Sequence, residues 1–521
     1  MKDPTIANMI RLPRRALLTG GASGFSVGAL GAFGRSTAWA HGSRLFSLGV
    51  ASGDPGAFSV VLWSRLAPAP LEGGGMPPHA VPVRWQVALD PHMRIVIRSG
   101  VTFAMPQDAH TVRVTAEGLL PDRWYYYRFH AQGEDSPIGR TRTFPLGSAC
   151  PRKARFGLVS CQDYQNGLFS AYAGLANEDL DFVIHLGDYI YEYAGDPTAV
   201  RQHVGGETQT LTDYRNRYAQ YRLDPALQAA HAAFPFITTF DDHEVENNYA
   251  GGIPEEGQDP VAFKARRASA YKAYFEHLPL RERSRPTEDA IALYRRLRFG
   301  RLASFHVLDT RQFRTDQPCD DGLKPACAGV FDPTATMLGA QQEEWLNDGL
   351  SDSRSVWNVI AQQVMFMRWD IRAAVGAPVP FFNVDAWDGY AAARQRLLDF
   401  LAAKTPANPV ILSGDIHSSW AADINEDQDS QSGIVASEFV GTSITSDFPA
   451  SFIPLVQATL PSNPHIKYFE GGKRGYVKFQ LTPERLRAEF RYVDSILTAV
   501  SPVKTLKTFE IKAGYAGLIP A

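Results

Sequence analysis

The chain has 521 residues, more than one ordinary domain needs, and its 45% hydrophobic and 11% aromatic content can fill a large core, which excludes a disordered or fibrous protein. Its net charge of -3 is uneven: Lys2, Arg11, Arg14, Arg15 and Arg35 against Asp3 make the first forty residues basic, so the rest is more acidic than the total suggests. A mildly acidic body has no broad basic surface to hold nucleic acid or an anionic membrane.

Residues 1–40 read as an export signal. Arg14-Arg15 precede an uncharged stretch from Ala16 to Gly34, and Ala38-Trp39-Ala40 offers small residues where a signal peptidase reads. The run RLPRRALLTGG resembles a twin-arginine signal, with Pro13 where that motif usually carries Ser or Thr. The expected partner is the twin-arginine export machinery. The mature protein is then periplasmic or secreted, starts near His41 and keeps no transmembrane anchor. Export would allow Cys319 and Cys327, which bracket CDDGLKPAC, to close a disulfide.

Residues 41–149 read as an all-β module. Ser59–Leu66, Val81–Leu89, His110–Leu119 and Arg123–Ala131 alternate or run β-branched and aromatic between Gly, Pro and Asp clusters. The piece LLPDRWYYYRF resembles the tyrosine corner of fibronectin type III sandwiches. From residue 150 to 521, strands alternate with helical patterns such as SAYAGLANEDL and AAARQRLLDFLAAK, which predicts an α/β core. Five apolar runs end in polar residues: RFGLVSC at Cys161, DFVIHLGD at Asp188, PFITTFDDHE at Asp241 to Glu244, ASFHVLDTR at Asp309 and Arg311, and NPVILSGDIH at Asp415 and His417. Ligands gather where such strands reach their carboxyl ends. The tail from Asp494 is expected to form a short helix and an extended segment.

These blocks form a variant of the calcineurin-like metallophosphoesterase pattern. Gly187-Asp188 matches its Gly-Asp, Asp242-His243-Glu244 carries an acid where Asn is usual, and Gly414-Asp415-Ile416-His417 carries Asp for the first His. Together SCQ, GDYIYEY, DDHEVENN, LDTRQFR, DAWDGY and LSGDIHSSW closely resemble the PhoD-type alkaline phosphatase and phosphodiesterase family, from about Phe46 to the end. The resemblance implies an α/β (α+β) metallophosphatase sandwich of two mixed β-sheets flanked by helices, behind a fibronectin type III-like domain. It also implies Fe³⁺ and Ca²⁺ as cofactors and hydrolysis of phosphate mono- and diesters by a metal-activated water.

The residue chemistry agrees with those metals. Cys161 thiolate, Tyr191 phenolate, His417 imidazole and Asp188 carboxylate suit iron, because ionising a phenol of pKa ~10 at neutral pH needs a strongly Lewis-acidic ion. Purple acid phosphatases, similar in pairing Asp with Tyr at i+3, use Fe³⁺ there. Asp188 as a bridge, with Asp242, Asp415 and Asn247, makes an all-oxygen set suited to Ca²⁺. His243 is expected to protonate the leaving alkoxide or to orient the phosphate, with Asp242 beside it and Glu244 holding its ring. Asn247 and Arg311 are the candidate substrate contacts; Arg311 has an alternative reading as a buttress through Asp309. Tyr189 and Tyr193 read as packing, His185 as a core histidine and the Asp385–Tyr390 loop as a structural rim. Two other readings remain from sequence: a phospholipase D-like phosphodiesterase of the same family, and a cell-envelope binding protein with the β module as its binding part.

Overall fold

The computed structural model describes residues 44–255, 257–427 and 433–521; the expected export signal and the start near His41 lie outside them. Its centre is a ten-stranded sheet and a seven-stranded sheet, both mixed. In the first, Ala154–Val159, Phe182–His185 and Pro235–Thr238 run parallel side by side. In the second, Ala303–Val307, Trp357–Ala361, Pro409–Ser413 and Ile434–Val440 do the same. Strands buried on both faces need apolar residues throughout, which is why these segments read as continuous hydrophobic runs.

The inner faces meet in one core. Phe156, Phe182, Ile184 and Ile237 of the first sheet pack with Phe305, Trp357, Val359, Val410 and Leu412 of the second. Phe156 stacks on Phe182 and Phe479 with centroids 5.2 and 4.9 Å apart. Helices cover the outer faces: Leu211–Arg222, Pro225–Ala233 and Pro260–His277 pack on the first sheet, Gly339–Ser351 and Ala391–Lys404 on the second. Two of these begin at an Asp-Pro pair. Asp224 and Asp259 accept backbone N–H bonds as N-caps, and the following proline occupies a position whose N–H has no helical partner. Among the described residues no helix is long and apolar enough to cross a membrane.

The N-terminal strands divide between two sheets. Val81–Ala88, Val96–Ala104 and Trp124–Ala131 form a separate antiparallel sheet with the short strands Glu134–Asp135 and Gly139–Arg142. Within it the Tyr125 hydroxyl donates to Leu120 O (3.1 Å) and accepts from Leu120 N (2.8 Å), the hydrogen bond that LLPDRWYYY predicts. Val50–Gly53, Ser59–Arg65 and Thr111–Glu117 instead extend the ten-stranded sheet, with Val50–Gly53 parallel to Pro235–Thr238. Trp63 seals that junction, fully buried and donating from Nε1 to Glu276 O at 2.7 Å. Burying an indole of that size contributes roughly 4–6 kcal/mol.

Two segments near the chain's later half bear on the expectations. Cys319 and Cys327 are joined by a disulfide with Cα atoms 6.2 Å apart. The helix expected after Asp494 does not form. The segment there is an irregular loop in which Ile496 O accepts from Leu168 N, and Val503–Lys512 then pairs with Arg485–Val493 inside the ten-stranded sheet. Its β-branched content and cross-strand pairing spend the tail in the sheet.

Candidate active site

The parallel strands of both sheets end at the same edge. Cys161 follows Ala154–Val159, Asp188 follows Phe182–His185, Asp241 and Asp242 follow Pro235–Thr238, Arg311 follows Ala303–Val307, and Asp415 and His417 follow Pro409–Ser413. Several of these turns are strained. Cys161, Asp188, Asp415 and His417 all have left-handed φ, at 56°, 54°, 66° and 56°. Such backbone costs of order 1–3 kcal/mol per residue and persists where the surroundings over-determine it. Gly187 makes the turn before Asp188 with φ 116°, and a Cβ there would collide with the backbone of Asp241.

Three groups of donor atoms lie within 4.8 Å of one another: Cys161, Asp188 and His417; Asp188, Asp242 and His243; Asp241, Asp242 and Asp415. Asp188 belongs to the first two and Asp242 to the last two, so the groups form one continuous cluster. Tyr191 completes the first. Its hydroxyl lies 2.8 Å from Oδ2 of Asp188, 3.2 Å from Nε2 of His417 and 2.6 Å from Oγ of Ser446. All eight side chains except His417 and Asp415 are buried.

Positive charge reaches the Asp242 side of the cluster, from Arg311 and His243, while among the described residues the Cys161 side has none beside it. Burial, then the neighbouring Asp188, pushes the Cys161 thiol and the Tyr191 phenol well above their ordinary ranges. Burial does the same to Asp188 and, with Asp241 beside it, to Asp415. Burial holds His417 down at about 4, so its imidazole is neutral, as a metal ligand must be. Oδ1 of Asp188 and Oδ1 of Asp242 are buried without a hydrogen-bond partner among the described residues. Orphaned carboxylate oxygens facing a thiol, a phenol and a neutral imidazole fit cations, because only imported positive charge lets these groups ionise together.

His243 stands differently. Burial opposes its charge, but Asp242, Glu192 and Asp188 outweigh that and raise its pKa well above the usual value. Its Nδ1 is 2.7 Å from Oε2 of Glu192 and its Nε2 is 3.9 Å from Oδ2 of Asp242. Its ring stacks on Tyr191 with centroids 4.2 Å apart and meets Tyr193 edge-on at 5.2 Å.

The second layer departs from the sequence reading at several points. Glu244 does not hold the His243 ring. Its carboxylate accepts from the backbone N–H of Asp188 (3.0 Å), Tyr189 (2.7 Å) and Asp241 (2.9 Å), pinning two strand ends together. Glu192, inside GDYIYEY, holds the ring instead and also accepts from Asn247 N at 3.1 Å. The Asn247 side chain meets Tyr193 (3.5 Å) and Glu255 (3.4 Å), while Asn248 N reaches Oδ2 of Asp242 at 2.7 Å. Arg311 is fully buried. It bonds Asp241, forms a two-pronged pair with Asp385 (2.8 and 2.9 Å), and lies 3.5 and 3.7 Å from Asp242 and Asp415. Asp309 contributes only a carboxylate acceptor for the Arg311 backbone N–H. Sequence reading also passed over Ser446, whose hydroxyl ties Tyr191 to Cys161 O, and Asp447, whose carbonyl lies 2.9 Å from Nδ1 of His417. The polar run GTSITSD after the strand Ile434–Val440 was the available signal.

The family model for PhoD-like phosphatases matches residues 156–490, and that for the family's N-terminal domain matches residues 34–145. The chain belongs to the PhoD-like phosphatase family. It is 46% identical over 508 residues to alkaline phosphatase D of Bacillus subtilis (strain 168), covering 95% of this chain and 86% of that protein. A solved structure of PhoD aligns with a TM-score of 0.88 at 47% identity over 92% of each chain. This PhoD-like protein is therefore a phosphatase, with candidate metal-binding clusters at its strand ends.

Proposed function

We propose that the protein is an exported hydrolase of phosphate mono- and diesters that works with two adjacent cations. The observation that carries this reading is Asp188, shared between two donor groups with one carboxylate oxygen left unpartnered. Cys161, Asp188, Tyr191 and His417 would hold Fe³⁺, because a thiolate with a phenolate favours iron over Mg²⁺ or Ca²⁺. Asp188, Asp242 and Asp415, with Asn247 at the rim, would hold Ca²⁺ through oxygen alone. When bound, the ions supply the Lewis acidity that activates water and offsets charge on the phosphate oxygens.

The chain's own residues do the rest. His243, kept protonated by Glu192 and Asp242, delivers its Nε2 proton to the departing alkoxide. Arg311 touches no solvent and acts through Asp241, Asp242 and Asp415, fixing the carboxylates against their mutual repulsion. Residues 1–40 would direct the folded protein through the twin-arginine route to the periplasm or medium, and residues 41–149 would serve as a fibronectin type III-like packing module.

The test sets a phosphate monoester, a phosphate diester and phosphatidylcholine side by side as substrates for the fully metallated protein. Hydrolysis of both simple esters is expected. Release of choline at a rate exceeding both would shift the reading to a phospholipase D-like enzyme, and no hydrolysis of any would refute it.

A further inference from the structure

A cleft of about 470 Å³ lies away from the strand-end cluster, between the loop Asp54–Ala57, the connector around Pro145 and Gly147, and the catalytic segments at Arg281–Arg283 and Arg296–Arg298. Its inner wall includes the strand Arg295–Phe299, the edge of the seven-stranded sheet. Four arginines line it against a single acid, Asp54. That acid is already committed, since Arg295 pairs with its carboxylate at 2.7 Å.

The four arginines are not equivalent. Arg296 is spent elsewhere, donating to His306 Nδ1 and Trp345 O. Arg281 is half-buried, and its guanidinium reaches only neutral partners, Asp54 O at 2.7 Å and Ser59 Oγ at 3.1 Å. Arg283 and Arg298 are exposed, and among the described residues neither makes a side-chain hydrogen bond or an ion pair. Three guanidinium groups thus share a concave site whose single carboxylate, Asp54, is paired with Arg295. Gathering like charges against low-dielectric walls concentrates positive potential, and guanidinium groups match phosphate oxygens in paired geometry. The volume falls within the range of small-ligand pockets, and Pro55, Ala57, Pro145 and Leu297 give it apolar wall.

We propose that this cleft is a second, non-catalytic binding site for a polyvalent organic phosphate, a small molecule with several anionic phosphate groups on an apolar body. Its ligand spans the junction between the N-terminal strands and the catalytic sheets.

The test titrates the metallated enzyme with a naphthalene trisulfonate, which presents several fixed anionic groups and is not hydrolysed. One-to-one binding that weakens as salt rises is expected. The double variant Arg283→Gln/Arg298→Gln, both at exposed positions, should weaken it at least about tenfold while leaving hydrolysis of p-nitrophenyl phosphate unchanged. Arg281→Gln, with its fold checked by melting temperature, should weaken it independently. Unchanged affinity in both variants would overturn the proposal, as would simple competition between the probe and the ester. Displacement of the probe by an equal concentration of inorganic phosphate would overturn the requirement for a polyvalent ligand.

Discussion

Nδ1 of His243 lies 2.7 Å from Oε2 of Glu192, while its Nε2 faces Asp242 at 3.9 Å. A carboxylate can only accept, so Nδ1 carries a proton and Nε2 is the nitrogen turned to the site. Glu192→Gln keeps an acceptor for the ring but removes a charge that holds the imidazolium. If His243 is the proton donor of the proposed function, its protonated form is the active one and activity should be lost as pH rises through its pKa. The variant should therefore lose activity at lower pH than the parent, with kcat down about 10- to 100-fold and KM little changed. A pH–rate profile checks this, and an unshifted alkaline limb would remove Glu192 from the account.

Arg311 contacts four acids at once, Asp241, Asp242, Asp385 and Asp415, sharing Asp385 with Arg314. Arg311→Ala should cost about 3–5 kcal/mol, the usual penalty for leaving buried charge uncompensated. Arg311→Lys restores charge without the two-pronged pair to Asp385 and should recover part of that. Urea unfolding measures both. Near-parental stability of the alanine variant would show that the acids are protonated and need no partner.

Glu438 gives the fold a pH dependence of its own. It is buried behind the site, accepting from Phe366 N and Met367 N at 2.8 Å and from Ser413 Oγ at 2.6 Å. Burial raises its pKa from 4.5 to about 7. Between those values the unfolded chain has released the proton that the native state retains, so stability falls as pH rises through this window. The loss amounts to about 3 kcal/mol and is complete above pH ~7. Glu438→Gln should flatten that slope in melting temperature against pH; a slope unchanged in the variant would place its origin elsewhere.

Much of this was legible in the sequence because strand ends leave a local trace. Continuous apolar runs such as FVIH and PVILS announced buried parallel strands, and the polar residues that stop them announced the site. The pairing of Asp188 with Tyr191 was readable from their spacing, and the structure brings the two to 2.8 Å. Relationships set by tertiary packing were not readable. Glu192 and Glu244 are both acids near His243, and only the backbone path decides that the first meets its ring and the second meets three amides. The continuation of Val50–Gly53 beside Pro235–Thr238 joins segments far apart in the chain, and such pairing has no local signature. From sequence Arg311 reads equally well as an anion contact; only the tertiary fold surrounds it with four carboxylates.

Tyr191 offers a spectroscopic test. A phenolate bound to ferric iron gives a visible charge-transfer band, and Tyr191→Phe should abolish it and reduce hydrolysis. A variant that retained the band would show that the phenol is not a ligand, leaving it as a neutral donor to Asp188.

Under the proposed function Cys161, Asp188, Tyr191 and His417 would select iron and the adjoining carboxylates would select calcium. Elemental analysis of the active, as-purified enzyme, with each site located by anomalous scattering, tests it most directly. Iron is expected beside Cys161 and Tyr191, and calcium beside Asp242 and Asp415. Fully active enzyme containing zinc and no iron would contradict it.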